Sequence, residues 1–332
     1  MNPRKLLILS SLPLLFLGLN GSLCDGNGGG SGDPNAGLYH TFSELNTKLE
    51  QLESTYPELA QKSSIGTSVE GRDLWMLKIS DNTAVDEDEP NVVFMGAHHA
   101  REWISVEVPL LIAEHLLQNA SDPQIQSLVE GAQIWIVPMV NPDGHHYAVT
   151  QDRLWRKNRR NNGDGTYGVD LNRNYSYQWG GPGSSGDTYS EVYRGPAPFS
   201  EPETQACRDF LQTLQPDALV SYHNYSQLVL FPWSYTDTAA PDKALLEELA
   251  IKMAELIKAV HGQTYVPGQG SSLYLSSGDT TDWLYGVFGA PAFTIELRPK
   301  SVVPGFQLPE SQIQTMFEEN LPAALYLIEW VL

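Results

Sequence analysis

The chain has 332 residues, of which 41% are hydrophobic and 18% are charged. This composition predicts a packed globular protein and excludes a disordered one, and the length is compatible with one large α/β domain. Acidic residues outnumber basic residues 40 to 20, and no run of Lys and Arg forms a surface for phosphate groups. Nucleic acids and anionic membrane surfaces are therefore not expected as partners.

The first 23 residues have the three parts of a secretory signal peptide. Arg4 and Lys5 precede an apolar run from Leu6 to Leu19, and small residues follow near Gly21. This run is shorter than the roughly 20 residues that a helix needs to cross a bilayer, so a transmembrane anchor is the weaker interpretation. We expect a secreted protein with no membrane-spanning segment in its mature form.

Residues 24–37 are predicted to form a Gly-rich spacer between the signal peptide and the folded region. Cys24 follows the signal directly and would fit a lipid anchor, but Leu23 is a poor match to the small residue of a lipoprotein signal. Plain cleavage is the alternative. Cys207 is the one cysteine after Cys24, so no disulfide framework is expected. Separately, we expect the protein to be a monomer.

The region 38–332 alternates between helical and strand patterns. Thr41 and Glu44 resemble a capping box at the start of a helix that continues towards Pro57. Six apolar runs predict strands, at Leu74–Ile79, Asn91–Gly96, Gln133–Met139, Ala218–His223, Leu228–Phe231 and Ala292–Leu297. Four longer periodic segments predict helices, at Trp103–Leu117, Glu201–Leu214, Lys243–Val260 and Ser311–Leu332. The alternation predicts a single α/β domain with a mixed, largely parallel sheet flanked by helices, and ligands at the carboxyl ends of its strands.

Two candidate metal ligands flank the turn between the strand that ends at Gly96 and the next helix. A strand-to-helix turn can direct the imidazole of His99 and the carboxylate of Glu102 at one centre, and both are suitable zinc ligands. Alone, such a pair is more often a coincidence or a surface salt bridge. His223, at the end of a predicted strand, is the candidate for a third ligand, although a single His there would more often be structural.

Three sequence blocks together resemble the zinc carboxypeptidases. They are His-Ala-Arg-Glu at 99–102, Ser-Tyr-His-Asn-Tyr-Ser at 221–226 and Phe-Thr-Ile-Glu-Leu-Arg at 293–298. The similarity extends from about Tyr39 to the end of the chain and is closest in pattern to bacterial carboxypeptidase T. It implies one catalytic zinc held by His99, Glu102 and His223, and hydrolysis of the C-terminal bond of peptides and proteins that have a free C-terminus.

The resemblance also implies catalytic roles. Glu296 matches the general base that takes the proton of the attacking water, and Arg156 matches the cation that stabilises the oxyanion. Asp170 matches the acid that orients a zinc-bound His. Without the resemblance, Glu296 could merely pair with Arg298, and Arg156 would belong to a solvated basic segment.

Further residues match positions that bind substrate in this family. Asn172 and Arg173 match the clamp for the terminal carboxylate, which a planar guanidinium can bind in a bidentate fashion. Tyr274 matches the mobile Tyr that closes over the terminal residue, whereas alone it would be an ordinary loop Tyr. Arg101 matches an Arg that helps to polarise the scissile carbonyl, and Tyr225 matches a subsite Tyr.

The preference for the terminal side chain is predicted from the segment around Asp279. Carboxypeptidases of the B type have an acid directly before the Asp-Trp pair, where this chain has the neutral Thr281. Asp279 instead matches the pocket acid of the carboxypeptidase T type, which implies a mixed preference for apolar and basic residues. The alternative is that Asp279 caps a helix that starts near Thr280.

A calcium ion is a further expectation from the carboxypeptidase T type. The segment Asp86–Glu89 consists of four consecutive acidic residues and could bind calcium, or it could be a solvated loop.

Two other functions remain as alternatives. One is an amidase or deacylase of the same superfamily, and the other is an inactive peptide-binding module. Asn172, Arg173 and Tyr274 argue against the first because together they match a clamp for a free C-terminus. The presence of the complete catalytic set argues against the second.

Overall fold

A computed structural model describes residues 39–332 of the chain. The predicted signal peptide at 1–23 and the spacer at 24–37, including Cys24, lie outside the described residues. Within 39–332, no helix is both long and apolar enough to cross a membrane.

Eight strands form one sheet. They are β1 (Ala60–Thr67), β2 (Asp73–Ile79), β3 (Asn91–Gly96), β4 (Gln133–Val137), β5 (Ala218–Asn224), β6 (Leu228–Phe231), β7 (Val266–Gln269) and β8 (Ala292–Leu297). Their order is β1-β2-β4-β3-β5-β8-β6-β7. The inner strands β4, β3, β5 and β8 are parallel, whereas β1, β2 and β6 join the sheet by antiparallel pairing. The predicted mixed sheet is therefore confirmed.

Helices cover both faces of this sheet. They are α1 (Phe42–Thr55), α2 (Ile104–Gln118), α3 (Pro123–Val129), α4 (Pro142–Thr150), α5 (Pro202–Leu214), α6 (Lys243–His261), α7 (Thr280–Phe288) and α8 (Ile313–Val331). Short 3-10 helices occur at Leu171–Arg173, Gly270–Ser272 and Glu310–Gln312. The predicted capping box starts α1, because Thr41 accepts from the backbone of Glu44 while the Glu44 side chain accepts from the backbone of Thr41.

The central strands separate two apolar cores. Val92 and Phe94 of β3 belong to the core that includes residues of α1, α2, α6 and α8, whereas Val93 and Met95 belong to the core that includes residues of α5 and α7. Side chains alternate between the two faces of a strand, so a run in which every residue is apolar buries both faces. Burial of each such side chain stabilises the fold by about 1.5–3 kcal/mol.

The connection from β3 to α2 depends on the glycine that ends the strand. A Cβ on Gly96 would lie 1.9 Å from the carbonyl oxygen of Ser105. Because glycine lacks a Cβ, the first turn of α2 can approach the end of β3 closely. This approach places the intervening residues, including His99 and Glu102, at the carboxyl edge of the parallel strands.

Candidate active site

Three potential metal ligands meet at the carboxyl ends of β3 and β5. The Nδ1 atom of His99 lies 2.8 Å from Glu102 Oε1, and the Nδ1 atom of His223 lies 2.9 Å from Glu102 Oε2. The two Nδ1 atoms are 3.2 Å apart. All three side chains are buried. The structure therefore brings together the three residues that were predicted as ligands.

The remaining ring nitrogens of both histidines contact polar groups behind the triad. His99 Nε2 lies 3.2 Å from Asp170 Oδ1, and His223 Nε2 lies 3.1 Å from Ser221 Oγ. When the outer nitrogen of a histidine donates its hydrogen, the inner nitrogen keeps its lone pair for a metal. Both histidines can therefore present Nδ1 to the centre of the triad.

Asp170 connects His99 with the predicted oxyanion-binding arginine. Asp170 Oδ2 accepts from Arg156 Nε at 3.1 Å and from Nη2 at 2.8 Å. The third nitrogen, Nη1, lies 4.0 Å from Glu102 Oε1 and is thus directed to the triad side. Burial opposes the charge on Asp170, but Arg156, Arg173 and His99 outweigh it and keep the pKa of Asp170 well below its usual value.

Glu296 lies beside the triad because of the strand register. In the parallel pair β5 and β8, His223 is directly opposite Glu296, so the two side chains share one face of the sheet. Burial raises the pKa of Glu296 to about 8, and the nearby charge of Arg156 only partly offsets this effect. A carboxyl group held in this way can exchange a proton near neutral pH.

One pocket contains the triad histidines, Glu296 and most of the predicted substrate-binding residues. Its lining consists of His99, Asn172, Arg173, His223, Leu230, Ser234, Gly270, Leu273, Tyr274, Ser276, Asp279, Thr294 and Glu296. The Tyr274 side chain is about half exposed, and its ring centre lies 5.8 Å from the Arg173 guanidinium carbon. A tyrosine at the mouth of the pocket is thus close to the predicted carboxylate clamp.

The clamp residues leave hydrogen-bond donors available. Asn172 Oδ1 accepts from both the backbone nitrogen and the hydroxyl of Thr280, each at 3.0 Å. Arg173 donates from Nε to Gly183 O at 2.9 Å and from Nη1 to its neighbour's carbonyl at 2.7 Å. Within residues 39–332, the Asn172 amide nitrogen and Arg173 Nη2 have no hydrogen-bond partner. Both can donate to a bound carboxylate.

Asp279 was predicted to be either an acid of the substrate pocket or the cap of a helix, and its two carboxylate oxygens have different surroundings. Its Oδ1 atom caps α7, since it accepts from the Asp282 backbone at 2.8 Å and from the Thr281 hydroxyl at 3.0 Å. Its Oδ2 atom is buried without a hydrogen-bond partner in the described part of the chain. Burial raises the pKa of Asp279, while the nearby charge of Arg173 acts in the opposite direction.

Arg101 and Tyr225 lie beside the pocket and do not line it. Both pack on Phe306, with the Arg101 guanidinium carbon 4.2 Å from the Phe306 ring centre and the Tyr225 ring centre 4.9 Å from it. Arg101 also lies 3.5 Å from the carboxylate of Glu191. Phe306 was missed by the sequence analysis, because it lies outside the three sequence blocks and only the fold brings it to them.

Comparisons with known proteins identify the family of the chain. A family model described as zinc carboxypeptidase matches residues 45–323. The chain belongs to the zinc carboxypeptidase family. Membership makes it a metallocarboxypeptidase, a hydrolase.

Named relatives cover most of the chain. It is 36% identical over 299 residues to carboxypeptidase B of Astacus astacus, covering 88% of this chain and 97% of the relative. It is 40% identical over 297 residues to a zinc carboxypeptidase of Saccharothrix mutabilis subsp. capreolus, covering 85% of this chain and 67% of the relative. The crystal structure of thrombin activatable fibrinolysis inhibitor superposes on this chain with a TM-score of 0.84 at 34% identity. The match covers 88% of this chain and 74% of the other. The particular resemblance to carboxypeptidase T stays a prediction.

The donor set of this zinc carboxypeptidase fits the metal of its family. Imidazole nitrogen and carboxylate oxygen are common zinc ligands, and three protein ligands leave a coordination position open in catalytic sites. One ligand atom from each of His99, Glu102 and His223 falls within 4.8 Å of the others. The outer nitrogens of both histidines are also engaged, as expected for metal ligands.

The acidic segment Asp86–Glu89 gives no support to the calcium prediction. Only Glu87 and Glu89 of this segment cluster, together with Asp81, while Asp86 accepts from the Gln133 side chain at 3.2 Å. The buried Lys78 lies near these acids and donates to Val85 O at 2.6 Å, so a positive charge already stands close to the segment. Zinc is the metal that the family supports.

Proposed function

We propose that this zinc carboxypeptidase removes single residues from the free C-terminus of peptides and proteins. The observation that carries the proposal is the pocket that joins the two triad histidines and Glu296 to the clamp donors of Asn172 and Arg173. An enzyme that cleaves internal bonds has no need for two donors directed at a terminal carboxylate. We assign residues 38–332 as the catalytic domain, which the family match to residues 45–323 supports.

The proposed metal ligands are His99, Glu102 and His223, which would hold one zinc ion. When bound, zinc supplies a Lewis acid that polarises the scissile carbonyl and makes water acidic enough to act near neutral pH. Asp170 orients His99 through its 3.2 Å contact with Nε2. The same carboxylate fixes one edge of Arg156, so this side chain is positioned before substrate binds.

The proposed reaction uses four residues that line the pocket, together with Arg156, which lies beside the triad. Asn172 and Arg173 bind the terminal carboxylate, and Tyr274 covers the terminal residue. Glu296 takes a proton from water and later passes it to the leaving amine. Arg156 Nη1 stabilises the negative charge that develops on the carbonyl oxygen. The buried surroundings strengthen these electrostatic interactions.

Two further residues complete the proposed site, with Arg101 helping to polarise the scissile carbonyl and Tyr225 contributing to a substrate subsite. Arg101 and Tyr225 both contact Phe306 at the edge of the pocket, so together they form a polar and aromatic surface. Such a surface suits the backbone and side chains of a peptide that extends out of the pocket.

We also propose a mixed preference for apolar and basic terminal residues. Leu230 and Leu273 give the pocket apolar surface, and Asp279 Oδ2 offers a buried oxygen without a partner among residues 39–332. A Lys or Arg side chain that reached this oxygen would satisfy it, because an unpaired buried oxygen is costly.

The enzyme is proposed to act outside the cytoplasm, on the basis of Arg4, Lys5 and the apolar run Leu6 to Leu19. A mature N-terminus that begins after about residue 23, found by sequencing the exported protein, is the expected result. An intact Met1 on exported protein would contradict cleavage. A lipid on Cys24 would appear as added mass on the first tryptic peptide.

The proposed activity can be tested on matched peptides. Purified protein should release the last residue from a peptide with a free C-terminus and not from the same peptide with a C-terminal amide, and a chelator should abolish the release. The variant His223→Ala should lose zinc by metal analysis. Equal cleavage of the free and amidated peptides would contradict the carboxylate clamp, and full zinc content in His223→Ala would remove this residue from the ligand set.

A further inference from the structure

The loop that follows β8 presents two consecutive apolar side chains to solvent. Val302 is 73% exposed and Val303 is 78% exposed, more than every other Val, Leu or Ile side chain of residues 39–332. Single exposed apolar residues are normal on a protein surface, whereas adjacent ones gain when another apolar group covers them. Neither the sequence blocks nor the proposed reaction gives these two valines a role.

Contacts within the loop fix the turn that carries the valines. The Ser301 hydroxyl donates to Val303 O at 2.7 Å. Gly305 has a φ of +61°, and a Cβ on it would lie 2.6 Å from Val302 O. Glycine permits this close turn because it has no Cβ. The backbone of the valines is therefore held in place while their side chains stay exposed.

Side chains from distant parts of the chain hold the base of this loop. Arg153 Nη2 donates to Phe306 O at 2.5 Å, and the Tyr39 hydroxyl donates to Leu308 O at 2.9 Å. Both donors act on backbone carbonyls, so the contacts fix the main chain of the loop as well as its side chains. The rest of the fold therefore sets the position of the loop against the pocket.

The loop adjoins the surface along which a bound peptide would leave the pocket. The ring centres of Tyr225 and Phe306 are 4.9 Å apart. A Cβ on Gly305 would lie 3.4 Å from Tyr225 Cε1, and the same position is next to Val302 O. Val302 and Val303 therefore extend the aromatic surface of Tyr225 and Phe306 away from the pocket.

A third exposed aliphatic side chain lies next to the same surface. Leu154 is 51% exposed, and its carbonyl oxygen accepts from Arg101 Nη1 at 3.4 Å. The Arg101 guanidinium carbon is in turn 4.2 Å from the Phe306 ring centre. We refer to Leu154, Val302 and Val303 together as the outer apolar patch.

The two arginines nearest to the outer apolar patch already have partners. Arg101 lies 3.5 Å from the Glu191 carboxylate and packs on Phe306. Arg153 donates to Arg101 O at 2.8 Å and to Phe306 O. An acidic side chain of a substrate would have to displace these contacts, whereas an apolar side chain can cover the patch and leave them intact. The surface thus favours an uncharged, apolar segment.

We propose that the outer apolar patch selects substrates that have apolar residues at the third and fourth positions from the C-terminus. The proposal rests on the proposed function, which places the terminal residue in the pocket and the preceding ones beside Tyr225 and Phe306. An extended peptide advances by about 3.3 Å per residue, so the third and fourth residues are the first to pass beyond these two rings. The preferred substrates are therefore peptides with an apolar segment upstream of the cleaved bond.

The test compares acetylated peptides that all end in Ser-Phe. The other positions are Ser, except that Leu is placed at the third position from the C-terminus, at the fourth, or at both. Acetyl-Ser-Phe, which does not reach the patch, is the reference substrate. For each protein, kcat and KM of every peptide are expressed relative to this reference, so changes in the chemical step cancel.

In the wild type, Leu at both positions should raise kcat/KM by about 5- to 10-fold over Ser, as expected for partial burial of apolar side chains. The gain should lie mainly in KM, because a contact remote from the reacting bond stabilises the bound substrate and the transition state equally. Leu at the eighth position, about 13 Å further upstream of the fourth, should give no gain.

The double variant Val302→Ser with Val303→Ser should reduce the gain from Leu to less than about twofold, and Leu154→Ser should reduce it in part. Because these side chains are exposed, their exchange removes little packing and the variants are expected to fold.

Val85→Ser is the matched control. Val85 is 49% exposed, and its neighbour Asp86 contacts Gln133, the first residue of β4, so it lies at the edge of the sheet opposite to the site. This variant should keep the full gain from Leu.

Two results would overturn the proposal and leave the proposed function intact. One is a wild type that cleaves acetyl-Ser-Phe but gains nothing from Leu at the third and fourth positions. The other is a double variant with the same gain as Val85→Ser. If, in addition, only the wild type self-associates, a second copy of the chain covers the patch instead of a substrate. Failure of the wild type to cleave any of the peptides would overturn the proposed function itself, and the selection with it.

Discussion

The two triad histidines owe their orientation to different kinds of partner. His99 Nε2 contacts the carboxylate of Asp170, whereas His223 Nε2 contacts the hydroxyl of Ser221. A carboxylate makes the opposite nitrogen more basic than a hydroxyl does, so the two ligands are not equivalent. Asp170 is also shared with Arg156, so a change at Asp170 would affect the metal and the oxyanion together.

The role of Glu296 can be separated from metal binding. Glu296→Gln keeps the size of the side chain and removes its ability to accept a proton, while all three proposed ligands remain. We expect full zinc content and a turnover lower by about 100-fold or more, because general base catalysis contributes about 10² to 10⁴. Zinc content by metal analysis and kcat on one peptide are the two measurements.

Glu58→Gln is the control for this exchange, since Glu58 is exposed and distant in sequence from every site block. It should leave both zinc content and kcat as in wild type. A Glu296→Gln protein that binds zinc and has near-normal kcat would assign the proton transfer to another group.

The two roles of Asp279 can also be separated. Asn is as good an N-cap as Asp, so Asp279→Asn keeps the cap of α7 and removes the charge, whereas Asp279→Ala removes both. We expect Asp279→Asn to lower the ratio of kcat/KM for peptides ending in Arg or Lys to that for Phe or Leu by about tenfold, or about 1.4 kcal/mol. Melting should be lowered only in Asp279→Ala. An unchanged ratio in Asp279→Asn would mean that this residue does not recognise charge.

The site residues that lie in short local blocks were predicted from the resemblance of those blocks to the zinc carboxypeptidases. The spacing of His99 and Glu102 alone was a weak signal, and Asp170 and Asn172 were predicted from the resemblance only. Phe306 was not identified, because it lies outside the sequence blocks and only the fold brings it against Arg101 and Tyr225. The roles assigned to the individual residues stay predictions until they are measured.

At the scale of elements, the approach of α2 to β3 sets the geometry of the triad. In Gly96→Ala the new Cβ would lie 1.9 Å from Ser105 O and 3.0 Å from Pro138 O, both of which are backbone atoms that cannot move aside cheaply. We expect a loss of about 1–3 kcal/mol in the free energy of unfolding and weaker zinc binding, because His99 and Glu102 lie between the displaced segments.

The matched control is Gly186→Ala, where the nearest atom would be the end of the Arg194 side chain at 3.4 Å. Denaturant unfolding and metal analysis of both variants check the prediction. Normal zinc binding in Gly96→Ala would show that the triad does not depend on this close approach.

The elements that the sequence analysis missed have weak hydrophobic patterns for a physical reason. The missed strands β1 and β7 form the two edges of the sheet, where one side of the strand has no partner. β1 is mostly polar and half-exposed, and β7 contains Pro267 and Gly268. The helices α3 and α4 were also missed. α4 starts with Pro142 and contains Gly144, so its cap at Asn141 and its tertiary contacts outweigh its low helix propensity.

At the scale of the whole molecule, the polar site lies at the edge of two apolar cores, and several ionisable groups are enclosed with it. His145 of α4 is the clearest of these away from the site, because it is 1% exposed and its ring is tilted towards that of Trp103, with the ring centres 6.0 Å apart. Burial is the main cause that lowers the pKa of His145 to about 3, and the charge of Arg153 adds to it.

This shift predicts that acid destabilises the protein through His145. In the unfolded chain a histidine gains its proton near pH 6.5, whereas in the folded chain His145 gains it only near pH 3. The unfolded state therefore binds more protons between these values, so the stability from a neutral His145 is complete above about pH 6.5 and is lost as the pH falls towards 3. His145→Leu removes the group that titrates, and we expect its melting temperature to fall less than that of wild type between pH 7 and pH 4. Loss of zinc at low pH acts on both proteins, so the difference between them at each pH isolates His145. Melting curves that fall in parallel for the two proteins would show that His145 does not couple folding to pH.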